Sequence, residues 1–282
     1  MDKINFVKMS GSGNDFIIID NRTRLLEKKD LPAFAQSVCE RKLSVGADGL
    51  IIIENSHNAD FGFLFFNADG SKAEMCGNGG RCVARYAFLN GIGGSTLTFE
   101  TEAGLIRAKV IDERVSLEMT EPRDLKLDMS VIMEGVPYTM SYINTGVPHV
   151  VVFVENLETY NVADTGRAIR FHSEFEPAGT NVNFVDKKMR DQLFIRTYER
   201  GVEDETLACG TGSVASALIA YKKGFIIPPV SIVTRGEEVL SVDFADENGR
   251  FIDVFLEGAV TLVYEGVMWK EGWVRKGVCK IS

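Results

Sequence analysis

Cys76-Gly77-Asn78-Gly79-Gly80-Arg81 and Cys209-Gly210-Thr211-Gly212-Ser213 each pair a thiol with a glycine-rich turn that opens an apolar run. The runs span Val83 to Leu89 and Val214 to Tyr221, and they stop at Gly91 and Gly224. Cysteine to glycine is 15 steps in both copies, and the copies are offset by 133 residues. A Cys-Gly-x-Gly start leading into a helix sets sulfur beside unpaired backbone N–H groups, at the positive end of the helix dipole. Such a setting favours thiolate and also binds a carboxylate. Two such starts, one per half, predict two thiols acting on opposite faces of one substrate.

Removing the proton α to an amino-acid carboxylate is difficult, because a carbanion forms beside a group that is already negative. Without an electron sink, fixed N–H donors must stabilise the aci-carboxylate, and Gly77-Asn78 and Gly210-Thr211 can supply them. One thiolate then takes the proton from one face while the other cysteine, as a thiol, delivers one to the opposite face. No dinucleotide fingerprint or pyridoxal-binding lysine motif is evident, so the chemistry expected needs no cofactor. Cys76 and Cys82 have neither CxxC nor CxxH spacing, and no metal site is expected. Cys39, Cys82 and Cys279 read as small buried apolar residues.

Other polar positions fit a substrate cradle. Asn14 follows Gly11-Ser12-Gly13 ahead of an apolar strand, an order wrong for a Rossmann turn. Asn67 ends the strand before Cys76, and Glu199-Arg200 ends the equivalent strand before Cys209. Arg200 is suited to clamping a carboxylate bidentately. His149 follows Pro148 at the start of a strand that the repeat sets against Asn14's strand, whereas His57 and His172 read as surface residues.

The repeat extends beyond the cysteines. At the same offset Ala47-Asp48-Gly49-Leu50 matches Thr180-Asn181-Val182-Asn183, and one residue away Leu64–Asn67 matches Arg196–Glu199. Gly13–Ile19 matches Val147–Phe153. A period near half the chain means two copies of a domain. Strand signals dominate, including Asp15–Asp20, Gly49–Glu54, Phe61–Asn67, Tyr138–Asn144, His149–Val154, Asn181–Asp186, Gln192–Arg200 and Val260–Tyr264. Asn248-Gly249 marks a hairpin turn. A helix is expected over Leu31–Lys42, and the segments after the two cysteines read as helices buried all round. The fold expected is α/β of the α+β type. It has two pseudo-symmetric duplicated domains, each a curled, mostly antiparallel sheet around a central apolar helix. The polar stretch Pro122–Ser130 is the expected boundary, giving domains 1–127 and 128–266, with the tail 267–282 joining the first.

The 282 residues, 45% hydrophobic and 25% charged, suit two domains with their own cores. A net charge of −9 with no basic run argues against nucleic-acid and anionic-membrane partners. Met1-Asp2-Lys3-Ile4-Asn5 has no apolar signal core and no stretch approaches a membrane span, so a cytoplasmic location is expected. Five cysteines, an odd count, do not make a disulfide scaffold.

Gly11–Phe16, Gly46–Gly49, Asn67–Ser71, Met75–Cys82, Gly146–His149 and Glu199–Val202 through Ala208–Gly212 resemble, in order, the motifs of the diaminopimelate epimerases. The likeness runs to about residue 266. It implies cofactor-independent interconversion of LL- and meso-diaminopimelate on the route to lysine and peptidoglycan. It also implies two domains closing over substrate in the cleft between them, and a homodimer. By that resemblance Cys76 and Cys209 are the acid/base pair, assisted by His149 and Glu199. Asn14, Asn67, Asn181, Glu199 and Arg200 hold substrate, and Gly77-Asn78 and Gly210-Thr211 bind the reacting carboxylate. Two departures stand out: many members have Asn where this chain has Val147, and Gln where it has Gly49. Each removes a side-chain contact. A two-cysteine racemase of proline or histidine is the alternative enzyme, and a thiol redox protein the alternative outside that class. Arg200 and the asparagines favour a substrate with a second carboxylate-bearing end.

Overall fold

The computed structural model of the chain describes residues 3–187 and 189–274. In chain order they form β1 (Lys3–Gly11), β2 (Asn14–Asp20), α1 (Leu31–Cys39), β3 (Gly49–Glu54), β4 (Phe61–Asn67), β5 (Lys72–Ala73), α2 (Gly77–Leu89), β6 (Thr96–Thr101), β7 (Gly104–Ile111) and β8 (Arg114–Glu118). There follow β9 (Arg123–Met133), β10 (Val136–Asn144), β11 (Pro148–Phe153), α3 (Val162–Arg170), β12 (Asn181–Asp186), β13 (Gln192–Glu199), β14 (Asp204–Thr206), α4 (Gly210–Lys222), β15 (Val230–Val233), β16 (Val239–Glu247), β17 (Arg250–Ala259) and β18 (Thr261–Trp269). The described residues form two compact units, one running to Leu117 and resuming at Gly258, the other Glu118–Glu257.

Both units have one ladder. In the first, β1 is antiparallel to β2 and to β18, β2 parallel to β3, β3 antiparallel to β4, and β4 antiparallel to β5 and parallel to β6. The strands β6, β7 and β8 then run antiparallel. The second unit repeats this with β10 to β17 in the places of β1 to β8 and β9 in that of β18. The duplicated, sheet-dominated α+β architecture is thus the expected one. Each parallel step needs a crossover. The helices α1 and α2 supply it in the first unit, α3 and α4 in the second.

Apolar runs in the strands reflect burial on both faces. Ile51 and Ile53 of β3 pack with Val83 and Ala87 of α2, while Leu50 and Ile52 pack with Phe34 and Val38 of α1. Each such Ile, Leu, Val or Phe side chain contributes roughly 1.5–3 kcal/mol. In the second unit α4 buries Val214, Leu218 and Ile219 against Leu193, Ile195, Leu240 and Val242.

Several elements differ from expectation. The helix α1 ends at Cys39, before Lys42, whose φ of 74° is left-handed. The polar stretch 122–130 is largely strand β9, paired with β10. Strand β1 was not anticipated, and neither was α3, which contains Gly166. A β-carbon on Gly166 would lie 2.4 Å from Tyr198 Cβ, so the glycine lets α3 rest close on β13. The helix α2 is neither wholly apolar nor buried all round: it carries the buried Arg81 and the half-buried Arg85, and Phe88 and Leu89 at its end are exposed. Strand β18 continues to Trp269, and Trp273 beyond it is buried edge-on to Phe34 at 5.9 Å. Asn248 and Gly249, with φ of 55° and 92°, form the turn between β16 and β17. Cys39 and Cys82 are buried free thiols, and Cys279 lies outside the described residues.

The ladders also align the halves residue by residue. Leu50 and Ile51 pair with Phe66 and Phe65, as Val182 and Asn183 pair with Tyr198 and Thr197. The offset of β12 from β3 is therefore 132, so Gly49 matches Asn181, and Asp48 does not. Phe16 pairs with Gly49 and His149 with Asn181, so His149 matches Phe16, and Asn14 matches Val147. Apolar patterning could not settle these registers, because strands buried on both faces lack the alternation that would mark a slip.

Candidate active site

Cys76 is the N-cap of α2, and its Sγ accepts the Gly79 N–H at 3.4 Å. Asn78 Nδ2 donates to Asn14 Oδ1 at 2.8 Å, and Asn14 Nδ2 donates to Asp48 Oδ2 at 3.1 Å. Behind them the buried Arg81 donates to Asn78 Oδ1 at 2.8 Å and to the Ser12 hydroxyl. Arg41 bridges Asp15 and Asp48 at 2.6 and 2.9 Å. Asn67 sits across from Gly49, with its amide donating to Ser71 Oγ at 2.9 Å. A β-carbon at Gly49 would lie 2.4 Å from the Phe65 ring, so packing requires the glycine.

Cys209 is the N-cap of α4; the N–H groups of Gly212 and Thr211 face its sulfur, but neither makes a well-formed capping hydrogen bond to it. Its Sγ lies 3.6 Å from the Thr211 hydroxyl, which is 2.9 Å from His149 Nε2. His149 Nδ1 is 3.1 Å from Asn183 Nδ2, and Asn183 Oδ1 accepts the Thr197 hydroxyl at 2.9 Å. Thr145 Oγ1 donates to the Thr211 carbonyl at 3.0 Å. Close by in chain and sheet, Asn181 Oδ1 accepts the Arg200 N–H at 2.8 Å and its Nδ2 donates to Pro148 O at 3.3 Å. The Arg200 guanidinium is braced by the Ala178 carbonyl at 2.6 Å.

The helix starts do not by themselves make thiolates. Burial pushes the Cys76 thiol up, opposed by the Gly79 N–H and the charge of Arg81. Burial, reinforced by the Glu199 carboxylate, pushes Cys209 up to about 11, against the Thr211 hydroxyl and the N–H groups of Gly212 and Thr211. The Glu199 carboxyl is itself raised by burial. Burial and the Arg200 charge hold His149 down at about 3, so its imidazole is neutral at pH 7.

Cys76, Gly77, Asn78 and Asn14 thus gather at the start of α2, and Cys209, Gly210, Thr211 and His149 at the start of α4. Asp48, Arg81, Thr145, Asn183 and Thr197 were missed. The available signal was a polar residue inside an apolar stretch, as with Asn183 in a strand where every residue is buried.

A profile of diaminopimelate epimerases matches residues 6–125 and 141–263. The diaminopimelate epimerase of Aquifex aeolicus is 47% identical over 95% of this chain and 99% of its own, and that of Archaeoglobus fulgidus 40% over 94% and 96%. The chain belongs to the diaminopimelate epimerase family. It is accordingly an isomerase of the epimerase class. Among solved structures a hydroxyproline epimerase from Agrobacterium vitis superposes with a TM-score of 0.66 at 16% identity, covering 99% of this chain and 98% of that one. A methylitaconate-delta-isomerase gives 0.68 at 14%, covering 99% of each. At such identities the likeness is of fold. Among the described residues no helix is long and apolar enough to cross a membrane.

Proposed function

We propose that this member of the diaminopimelate epimerase family interconverts LL- and meso-diaminopimelate without a cofactor, through Cys76 and Cys209. One sulfur, as thiolate, accepts the α-proton, and the C–H electron pair moves into the carboxylate as an aci-carboxylate. The N–H groups of Gly77-Asn78 and Gly210-Thr211 hold that charge. The other cysteine, as a thiol, then protonates the opposite face of Cα, and the pair is left with its protonation reversed. His149 and Glu199 assist the proton transfers. Asn14, Asn67, Asn181 and Arg200 hold the rest of the substrate, with the guanidinium on the distal carboxylate. Carrying this reading is the equivalence of the two thiols: each N-caps the helix that follows the same strand pair in its half. We place the enzyme in the cytoplasm as a homodimer, in keeping with a role in lysine biosynthesis.

Purified protein with a reductant, and no added cofactor, should wash solvent deuterium into Cα of diaminopimelate and epimerise it. A requirement for pyridoxal phosphate, or activity abolished by EDTA, would sink the proposal. Light scattering on the purified protein tests the dimer.

A further inference from the structure

The two thiols rest on unlike foundations. Under the start of α2 the ladder positions are Phe16, Ile51 and Phe65, all buried, with the two rings edge-to-face at 6.0 Å. The matching positions under α4 are His149, Asn183 and Thr197, each exposed by 2% or less. Three buried polar side chains where the same fold accepts three apolar ones are unfavourable unless all are hydrogen-bonded. These are bonded, and in one direction.

That direction follows from groups with a single option. The Val150 carbonyl can only accept, and it takes one Asn183 Nδ2 hydrogen at 2.9 Å. That settles the amide's orientation, so Asn183 Oδ1 faces the Thr197 hydroxyl and accepts from it. The second Nδ2 hydrogen therefore meets His149 Nδ1, which must accept it. A neutral His149 then carries its proton on Nε2 and donates to Thr211 Oγ1. The Thr211 hydroxyl, having accepted, keeps its own hydrogen available for Cys209 Sγ, 3.6 Å away. Gly212 makes the room, since a β-carbon there would lie 2.2 Å from Asn183 Oδ1.

We infer that Asn183 is a positioning residue, which sets the His149 tautomer so that the Thr211 hydroxyl donates to the Cys209 sulfur and stabilises its thiolate. Its use in turnover rests on the two-thiol reading above, but the relay itself does not. It works against the Glu199 carboxylate, which disfavours that thiolate, while the Arg200 charge helps to keep His149 neutral. At Cys76 a backbone N–H hydrogen-bonds the sulfur and the Arg81 cation is close by, whereas at Cys209 the N–H groups of Gly212 and Thr211 face the sulfur without a well-formed bond and no cation lowers the thiol.

Imidazole ¹⁵N NMR of the full-length protein reads the tautomer, with His149 assigned by comparison with His149→Gln among only three histidines. The wild type should show Nδ1 bare and Nε2 protonated. Asn183→Asp, whose carboxylate can only accept, should put a proton on Nδ1. A wild-type proton on Nδ1, or no change in Asn183→Asp, would overturn the inference. The second readout is iodoacetamide labelling of Cys209, followed by mass spectrometry in a Cys76→Ala background. At fixed pH near 8, Asn183→Leu and Thr211→Val should each slow labelling about tenfold, with Thr211→Ser close to the parent. Because both act through one chain, the double variant should be no slower than either single one; multiplying effects would refute the relay. Labelling of Cys76 in a Cys209→Ala background should not respond to Asn183→Leu. If Asn183→Leu fails to fold, Asn183→Asp and the Thr211 pair carry the test. Failure to turn over diaminopimelate with these results intact would defeat the proposed substrate and leave the relay standing.

Discussion

Phe16 and His149 hold the same ladder position in the two halves: Phe16 pairs with Met9 and Gly49, His149 with Ile143 and Asn181. One scaffold thus supports its two thiols by different means. The first leans on a backbone N–H and a buried cation above an apolar floor, and the second on backbone N–H groups and a hydroxyl backed by a neutral imidazole.

Cys76→Ser and Cys209→Ser should each lower epimerisation by about 10²–10⁴-fold while leaving circular dichroism and melting intact, because a hydroxyl is too weak an acid to serve. Each should still eliminate HX from a β-halogenated diaminopimelate of matching stereochemistry, which needs one base. Near wild-type epimerisation by either variant would refute the two-thiol mechanism. Cys82→Ala, by contrast, should lose about 1 kcal/mol of stability and little activity.

The proposed contact of Arg200 with the distal carboxylate predicts a role in specificity. Arg200→Lys keeps the charge but loses the fork that the Ala178 carbonyl braces, and should raise KM for diaminopimelate. Arg200→Ala should lower kcat/KM by an amount equivalent to roughly 2–5 kcal/mol, since it leaves the distal carboxylate unpaired. Any slow exchange of amino acids lacking that carboxylate should be indifferent to both changes. Equal losses on both substrate classes would move Arg200 from recognition to the reacting centre.

His149 ties stability to pH. Its ordinary value is 6.5 and the folded value is about 3, so between these limits the unfolded chain binds a proton that the folded one refuses. The stabilisation is complete above pH 6.5 and is lost as pH falls from 6.5 towards 3. Denaturation midpoints measured between pH 7 and pH 5 should fall less steeply for His149→Gln than for wild type. Parallel slopes would mean that His149 is protonated in the folded protein.

Two glycines at equivalent helices should answer differently to one methyl group. Gly212→Ala drives a β-carbon into Asn183 Oδ1, also 3.3 Å from Cys209 Sγ, and should cost about 1–3 kcal/mol together with activity. Gly77→Ala meets nothing within 4 Å and should leave melting unchanged. Comparing the two melting temperatures checks this, and a larger loss for Gly77→Ala would contradict the packing.

Much of this protein is written locally. The cysteine N-caps, the glycine-rich helix starts and the spacing that repeats them depend on short-range backbone geometry and dipoles, so sequence alone determined the duplication, the two thiols and the family. The helix α3 was not legible, because Gly166 weakens it in isolation and only the approach of Tyr198 explains the glycine. Register was not legible either: β3 and β12 are buried on both faces, and apolar residues there fit either alignment. Only the ladders matched His149 to Phe16 and Asn183 to Ile51. Tertiary structure alone decided the state of each thiol as well. Burial opposes ionisation more strongly than helix starts promote it, and the compensating groups, Arg81 for Cys76 and the Asn183–His149–Thr211 chain for Cys209, converge from residues far apart in sequence.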